Sequence, residues 1–208
     1  LFDLDNSLYP LLGTLAVAYD NGLHTKHRHT KYHDFFVEHI NQGEKVLDIG
    51  CGNGALTCDI AEKVENVEVL GIDLSSGNIA VACEKYGRQN INYIVGDVMK
   101  DGTLTANHFD VVILSNVLEH LPDRSKFLSK VWSKANPKRM LIRAPLFERD
   151  WRVPLKKELG IEWRLDSTHE TEYTIESWAQ EIEEAGLTVT NQEIRWSEIW
   201  AEVVKDVS

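Results

Sequence analysis

The stretch that most constrains the fold is VLDIGCGNGALT, residues 46–57. A short apolar run, Lys45–Ile49, leads directly into Gly50, Gly52 and Gly54, and a segment with helical spacing follows. Glycine lets the backbone turn tightly and approach a ligand closely, while the first turn of the next helix offers unpaired N–H groups. The stretch therefore predicts a strand, a ligand-facing turn and a helix in succession.

Short apolar runs alternate with helical stretches along the rest of the chain. Apolar runs of this length are typical of parallel strands that are buried on both faces. The predicted strands are Lys45–Ile49, Val67–Ile72, Ile91–Val95, Phe109–Leu114, Arg139–Ala144, Leu187–Ile194 and a further candidate, Glu198–Val204. The predicted helices are Ala55–Val64, Ser75–Tyr86, Asp123–Lys134 and Ile175–Ala185, with Ser75 and Asp123 as N-caps and Gly87 and Gly186 as stops. This order predicts a doubly wound, mostly parallel α/β sheet, whose last strand is antiparallel because its connection is short.

Two segments fall outside this alternation. Residues 1–44 precede the first strand and show helical spacing in Tyr32–Ile40, so we expect an N-terminal helical cap. Residues 145–173 are too long for an ordinary connection, and long loops of this kind are often lids. A length of 208 residues suits one domain, residues 1–208, that includes both segments.

Acidic side chains follow the ends of three successive predicted strands. Gly50, Gly52 and Ala55 also satisfy the GxGxxG/A dinucleotide pattern, but Asp48 would face the pyrophosphate of a dinucleotide unfavourably. The same carboxylate would stabilise a ligand that carries an ammonium and a sulfonium. Asp73 is placed to accept hydrogen bonds from ribose hydroxyls, and Asp97 from an adenine amino group. We therefore expect a ligand at the carboxyl ends of the strands.

The ordered motifs DIGCGNG, GIDLS, GDVM and FDVVILSNVLEHL resemble the signature set of class I S-adenosylmethionine (SAM)-dependent methyltransferases, in the branch that modifies small molecules. The resemblance covers roughly residues 40–145 and implies a seven-stranded, Rossmann-like sheet with an antiparallel last strand. It also implies that SAM donates a methyl group to a small-molecule acceptor by in-line displacement, which leaves S-adenosylhomocysteine. The residues that it places around SAM are Tyr19, Arg28, Asp48, Gly50, Cys51, Gly52, Asn53, Asp73, Leu74, Asn78, Asp97, Val98, Ser115, Asn116 and Val117. Asn78 departs from the pattern, because relatives often carry an apolar residue there against adenine.

Two histidines are candidates for a general base. Methyl transfer depends mainly on the alignment of the reactants, and a base is needed only when the acceptor must lose a proton. Histidine titrates near neutral pH and suits this role, and the candidates are His120 in NVLEHL and His169 in DSTHETEYT. The alternative for His120 is a hydrogen bond to the backbone at the start of a helix.

Further histidines cluster in HTKHRHTKYH, at positions His24, His27, His29 and His33. His29 and His33 stand one helical turn apart, a spacing that can bind a metal ion. We favour a solvated, amphipathic segment and predict no metal site, since no nearby cysteine or carboxylate set completes a ligand shell. The resemblance adds a third reading, in which residues of this region contact the SAM carboxylate or the acceptor. Those residues are Tyr19, His27, Arg28 and His33.

The predicted lid carries many aromatic and basic side chains. They are Phe147, Trp151, Arg152, Trp163, Arg164, His169 and Tyr173. Such residues can stack on and clamp a planar or anionic acceptor. The alternative is that Trp151 and Trp163 only pack the segment onto the sheet.

Charge and composition limit the classes of acceptor and partner that this chain is expected to bind. The net charge is −11, and residues 148–208 carry 15 acidic and 7 basic side chains. Enzymes of nucleic acids usually carry a basic stripe, so we expect neither DNA nor RNA as the acceptor. No apolar run approaches the ~20 residues that cross a bilayer, and we expect no membrane insertion. The three cysteines lack metal-type pairing, which favours reduced thiols and a cytoplasmic location.

Three other functions remain open. One is a dehydrogenase with NAD in the same crevice, against which Asp48 and Asp97 speak. Another is a SAM-binding module without catalysis. The third is a SAM-dependent protein or RNA methyltransferase, which the acidic charge makes less attractive.

Overall fold

A seven-stranded sheet organises the chain. The computed structural model describes residues 2–20, 25–104, 108–164 and 166–205. The strands in these residues are β1 (Lys45–Ile49), β2 (Glu68–Asp73), β3 (Ile91–Val95), β4 (Val111–Ser115), β5 (Arg139–Pro145), β6 (Leu187–Arg195) and β7 (Glu198–Lys205). They lie in the order β3-β2-β1-β4-β5-β7-β6, and of these strands only β7 runs against its neighbours. The predicted doubly wound sheet with an antiparallel last strand is confirmed.

Helices cover both faces of the sheet and much of the N-terminal segment. Those in the described residues are α1 (Phe2–Tyr19), α2 (Lys26–Thr30), α3 (Tyr32–Glu38), α4 (Ala55–Lys63), α5 (Ser76–Tyr86), α6 (Arg124–Ala135), α7 (Arg152–Glu158) and α8 (Ile175–Glu184). Short 3₁₀ helices lie at Leu118–His120 and Phe147–Arg149. Periodicity did not predict α1, because Pro10 lies inside it and its apolar residues do not form one stripe. Among the described helices, none is long and apolar enough to cross a bilayer.

Signals at the helix ends act mostly as predicted. The Ser75 hydroxyl accepts a hydrogen bond from the Asn78 backbone N–H at 3.2 Å and caps α5. Gly186 follows α8 with φ of +70°, the left-handed conformation that ends many helices. Asp123 occupies the N-cap position of α6, but its side chain accepts no cap hydrogen bond. Gly87 ends α5 with φ of −63°, so this stop does not use the left-handed conformation.

The core has one apolar layer on each face of the sheet. Val46 of β1 packs with Phe36 of α3 and Ile60 of α4 on one face. The next residue, Leu47, belongs to the opposite layer, which includes Leu128 of α6 and other residues of α6 and α8. Successive side chains of a strand point to opposite faces, so the apolar run of β1 serves both layers. With both faces covered, the open ends of the strands remain for polar groups.

The turn from β1 to α4 depends on its glycines. Gly50 and Gly52 have φ of +71° and +56°, in the left-handed region that residues with side chains rarely adopt. A Cβ atom on Gly50 would lie 2.7 Å from Cγ2 of Val117, whereas one on Gly52 would meet nothing within 4 Å. Gly50 is therefore required for conformation and space, and Gly52 for conformation alone.

We expect Gly50→Ala to lower the free energy of unfolding more than Gly52→Ala. Both changes force a side chain into the left-handed region, at about 1–2 kcal/mol. Gly50→Ala also overpacks the contact with Val117, which adds about 1–3 kcal/mol. Urea unfolding of the ligand-free protein measures both, with Gly102→Ala (φ +83°, open surroundings) as the control for backbone strain alone. Equal losses at positions 50 and 52 would show that Val117 moves aside freely.

Candidate active site

A cleft of about 310 Å³ opens at the carboxyl ends of β1, β4 and β5. It is lined by Lys26, His27, Tyr32, Asp48, Gly50, Cys51, Gly52, Asn53, Ala55, Leu56, Ser115, Asn116 and Arg143. The glycine turn and the end of β4 are thus brought together as the motifs predicted. A larger cavity of about 510 Å³ lies among the first residues of β1, β2 and β3, at the opposite edge and away from this turn. Size alone therefore does not identify the site.

Asp48 is the buried acid of the cleft. Its side chain is 1% exposed, and its Oδ2 accepts a hydrogen bond from the Thr57 hydroxyl at 2.6 Å. Burial raises the pKa of Asp48 to about 6, and the nearby carboxylate of Asp73 adds to the rise while the Thr57 bond opposes it. A cation in the cleft would stabilise the ionised form of this carboxyl.

Asp73 holds the glycine turn at the end of β2. Its Oδ2 accepts from the Gly52 N–H at 2.9 Å, and its Oδ1 accepts from the Ser75 N–H at 2.8 Å. The Asn78 side-chain amide also donates to Oδ1, at 3.2 Å, so this departure from the family pattern orients Asp73. The neighbouring Leu74 side chain is 75% exposed and leaves an apolar surface beside the carboxylate.

Asp97 and Val98 follow β3 in different environments. Asp97 is half-buried, and its Oδ1 accepts from the Met99 N–H at 2.9 Å. Its backbone carbonyl accepts from the Thr103 hydroxyl at 2.7 Å, which fixes the turn. Val98 is 4% exposed and packs within the core. Of the two, only Asp97 presents a polar group at the edge of the sheet.

Asn116 carries an unsatisfied polar atom at the cleft. It has φ of +56° directly after β4, and its N–H donates to the Arg143 carbonyl at 2.9 Å. Its Oδ1 is buried and has no hydrogen-bond partner among the described residues. A buried acceptor without a partner is unfavourable, so this oxygen is suited to receive a hydrogen bond from a ligand.

Arg143 forms the cationic wall of the cleft. The guanidinium donates from Nε and Nη2 to the two carboxylate oxygens of Glu198, at 2.7 and 2.8 Å. Its Cζ atom lies 4.2 Å from the Tyr32 ring centroid and 5.0 Å from that of Trp200. Burial, followed by the charge of Arg143, lowers the pKa of the nearby Lys26. Arg143 and Lys26 thus bring cationic groups into the same cleft lining as Asp48.

The N-terminal candidates divide between the cleft and the surface. His27 lines the cleft and shares a 3.1 Å hydrogen bond with the Tyr32 hydroxyl. Tyr19 lies outside the cleft, with 77% of its side chain exposed. Arg28 also lies outside the cleft and forms an ion pair with Asp20 at 3.4 Å. His33 lies in a neighbouring hollow and bonds Asp59 at 2.7 Å, which lowers the pKa of Asp59 to about 2. His24 falls outside the described residues.

His120 and His169 lie side by side, although they are far apart in sequence. Their ring centroids are 4.8 Å apart at an interplanar angle of 80°. The backbone explains the contact, because the Glu119 carbonyl accepts from the N–H groups of Glu170 and Thr171 at 2.7 and 3.3 Å. Glu119 itself is buried, and burial raises its pKa to about 7. Burial, and then His169, lowers the pKa of His120, which keeps this imidazole neutral at pH 7.

Most of the aromatic and basic side chains described in residues 145–173 pack or pair within the protein. The arginines of this segment are therefore not open to clamp a ligand. Trp163 packs edge-to-face on Phe147 at 5.6 Å, while Trp151 is 71% exposed. Arg152 pairs with Asp150, and Arg164 pairs with Glu162 at 2.9 Å. Tyr173 is 1% exposed and donates its hydroxyl to Glu181 in the core. Of the two tryptophans, Trp163 follows the packing alternative and Trp151 remains available to a ligand.

Sequence reasoning missed Lys26, Tyr32, Arg143 and Glu119. The signal for Arg143 was a basic residue inside the otherwise apolar strand RMLIRA. The signal for Glu119 was its place in NVLEHL, where attention fell on His120. Lys26 and Tyr32 had no such signal, because only tertiary folding brings α2 and α3 to the carboxyl edge.

Comparison with known proteins gives consistent results. Residues 46–138 match a protein family described as "Methyltransferase domain". Ubiquinone biosynthesis O-methyltransferase of Rhodopseudomonas palustris (strain TIE-1) is 30% identical over 157 residues, 73% of this chain and 61% of that protein. N-methyltransferase 4 of Papaver somniferum is 34% identical over 100 residues, 46% of this chain and 28% of that protein. The chain thus spans less than two thirds of the length of these relatives.

A solved structure shares the fold. Magnesium protoporphyrin IX methyltransferase of Synechocystis PCC 6803, with bound S-adenosylhomocysteine, superposes with a TM-score of 0.66. The sequence identity is 20%, and the match covers 86% of this chain and 84% of that one. At this level of identity, the likeness shows a shared fold.

We expect Asp48→Asn to change how stability depends on pH. The pKa of this acid is about 6 in the folded state against 3.8 for the free side chain, so the folded state holds the proton more tightly. The free energy of unfolding should therefore fall as the pH rises between these values, by on the order of 2 kcal/mol. Asparagine keeps an acceptor for Thr57 and removes the titration.

Urea unfolding of the ligand-free protein from about pH 4 to pH 7 measures this difference. The variant should be the more stable protein at pH 7. Glu119 also affects the pH dependence of stability, but both proteins contain it, so its effect cancels in the difference between them. Parallel pH profiles would mean that the pKa of Asp48 is the same in the folded and unfolded states.

Proposed function

We propose that this protein, which belongs to the class I S-adenosylmethionine (SAM)-dependent methyltransferases, transfers the methyl group of SAM to a small-molecule acceptor. The observation that carries the proposal is the buried Asp48 beside the glycine turn, within a cleft whose other wall is cationic. When bound, SAM would supply a methyl group on a positively charged sulfur. The acceptor would attack the methyl carbon in line with the sulfur, and S-adenosylhomocysteine would leave.

The charges of the cleft suit the methionine half of SAM. That half carries an ammonium and a sulfonium, which favour Asp48, and a carboxylate, which favours the wall of Lys26 and Arg143. The buried oxygen of Asn116 offers an acceptor for an ammonium proton. NAD would instead bring two phosphates next to Asp48, so a dehydrogenase fits less well.

The ribose and adenine fit the edge formed by β2 and β3. A carboxylate has about four lone-pair sites, and Asp73 already accepts three hydrogen bonds, two at Oδ1 and one at Oδ2. One ribose hydroxyl can therefore bond to Oδ2 without displacing a protein donor. The exposed Leu74 provides an apolar surface beside it for the nucleoside, and Asp97 provides an acceptor for the adenine amino group.

The acceptor side is assigned to the segments beyond β4 and β5. The cofactor groups would occupy the cleft at β1, β4 and β5 and the edge formed by β2 and β3. Residues 145–173 leave from the end of β5, next to this cleft, so we assign them to the acceptor side as a lid. The N-terminal residues 1–44 act as a cap through His27 and Tyr32, and the whole chain works as one domain. His120 has a lowered pKa and can accept a proton at neutral pH, if the acceptor must lose one.

The small-molecule class rests on charge and on the relatives. A net charge of −11 opposes a polyanionic acceptor. The relatives are named for O- and N-methyl transfer, the former in ubiquinone biosynthesis. A screen with isotope-labelled SAM against pools of small molecules, read by mass spectrometry, identifies the acceptor. Labelling of RNA or protein alone would contradict the proposal.

We expect calorimetry to show binding of SAM and S-adenosylhomocysteine, and Asp73→Ala to weaken it more than Asn78→Ala. Asp73→Ala removes a charged acceptor from the ribose and releases Gly52, whereas Asn78→Ala removes only a donor to Asp73. One charge-assisted hydrogen bond is worth about 1.5–3 kcal/mol, roughly a tenfold to hundredfold change in Kd. Binding of NAD without SAM would refute the cofactor, and equal small losses would make Asp73 a helix-entry residue only.

We expect Trp151→Ala to raise the acceptor KM and leave the Kd for SAM unchanged. Trp151 is 71% exposed on the lid, so its removal should not disturb the core. Trp196→Ala on the turn between β6 and β7 is the size-matched control, since Trp196 is 64% exposed and lies outside residues 145–173. Steady-state kinetics and calorimetry separate the two effects. Weakened SAM binding in Trp151→Ala would show that the lid supports the cofactor cleft instead.

A further inference from the structure

Three side chains that bind metal ions meet where the 3₁₀ helix Leu118–His120 touches the chain near His169. Glu119, His120 and His169 each offer one ligand atom, and these atoms all lie within 4.8 Å of one another. Two atoms bound to one ion at ~2.1 Å stand at most about 4.2 Å apart. Small rotations of the side chains would therefore bring all three ligands onto one ion.

Glu119 is the least expected member of this group. It is 0% exposed, and neither of its carboxylate oxygens has a hydrogen-bond partner among the described residues. Buried carboxylates are normally paired with a cation, hydrogen-bonded or bound to a metal. An ion between Glu119 and the two imidazoles would supply the missing partner.

The two histidines are held as metal ligands usually are. Nδ1 of His169 bonds to Oε1 of Glu172 at 2.8 Å, and Nδ1 of His120 bonds to the Thr168 hydroxyl at 3.0 Å. Arg149 donates to the same oxygen of Glu172 at 3.2 Å and fixes that carboxylate. A carboxylate on the far nitrogen of an imidazole is the usual support of a metal-bound histidine. In both residues Nε2 is left to bind an ion.

We propose that Glu119, His120 and His169 bind one divalent transition-metal ion. Two imidazoles and one carboxylate suit Zn²⁺, Fe²⁺, Mn²⁺ or Co²⁺, and three protein ligands leave positions open. His120 is exposed, so the open positions face solvent, and in the chain His120 follows closely after Asn116 of the cleft. An oxygen of the acceptor would occupy them, and the ion would then replace His120 as the group that favours loss of the acceptor proton. This role rests on the proposed methyl transfer, although ion binding does not.

This proposal replaces the sequence-based expectation of no metal site. That expectation considered only ligands close together in sequence. Glu119 and His169 are joined instead by the hydrogen bonds from Glu170 and Thr171 to the Glu119 carbonyl. The histidines at positions 27, 29 and 33 lie elsewhere, on or next to α2 and α3, and are not part of the site.

Titration of the chelator-treated full chain with Co²⁺, followed by visible absorption, tests ion binding directly. We expect one bound ion, with the Kd raised at least tenfold in His120→Ala and in His169→Ala. His29→Ala is the matched control, because His29 is exposed on α2 and would lower the affinity only if the N-terminal histidines bound the ion. No Co²⁺ binding, or binding that is lost only in His29→Ala, overturns the proposal.

Two further measurements keep the result independent of folding and of methyl transfer. Thermal unfolding shows whether each variant is folded, and the exposed position of His120 makes its variant the safest one. SAM calorimetry on the metal-free protein should give the same Kd for wild type and His120→Ala. Normal Co²⁺ binding without SAM binding would refute the proposed function and leave the metal site standing. SAM binding without Co²⁺ binding would refute the metal site and leave the proposed function standing.

Discussion

The end of β2 holds the turn on which the cleft is built. The Ile72 carbonyl accepts from the N–H groups of Gly50 and Cys51 at 2.7 and 3.1 Å, and Asp73 accepts from Gly52. These bonds satisfy backbone donors that the left-handed turn would otherwise leave open. The bonds that fix the turn come from β2, so Asp48 of β1 is not needed to hold the turn and can be buried directly before it. The remaining cleft groups are arranged around that fixed turn.

The cleft keeps opposite charges apart by different means. The Asp48 carboxyl accepts one hydrogen bond, from the Thr57 hydroxyl, and its burial raises its pKa. A charged group beside it would therefore change its ionisation strongly. The Arg143 guanidinium is hydrogen-bonded to Glu198 and lies over two aromatic rings. A zwitterionic ligand stabilises both arrangements at once, while a ligand of one sign would oppose one of them. The proposed binding of SAM therefore depends on the charge pattern of the ligand as well as on its shape.

The sequence predicted those features that depend on neighbours along the chain. Strand runs, the glycine turn and the Ser75 cap follow local rules, and they agree with the structure to within a few residues. The missed features depend on contacts between distant segments, such as Arg143 with Glu198 and Glu119 with Glu170. The hydrogen bond from Asn78 to Asp73 was missed for a different reason, because family pattern indicated a contact with the ligand there.

The position of β7 between β5 and β6 has a consequence for the order of assembly during synthesis. Arg143 emerges well before Glu198, which lies 55 residues further along the chain. Until β7 is made, the flank of β5 is an open edge that invites pairing with other chains. Arg143 must also wait for its counter-charge, and an unpaired charge resists burial. A nascent chain can thus form the glycine turn early, yet it completes the cationic wall only when the final hairpin closes the sheet.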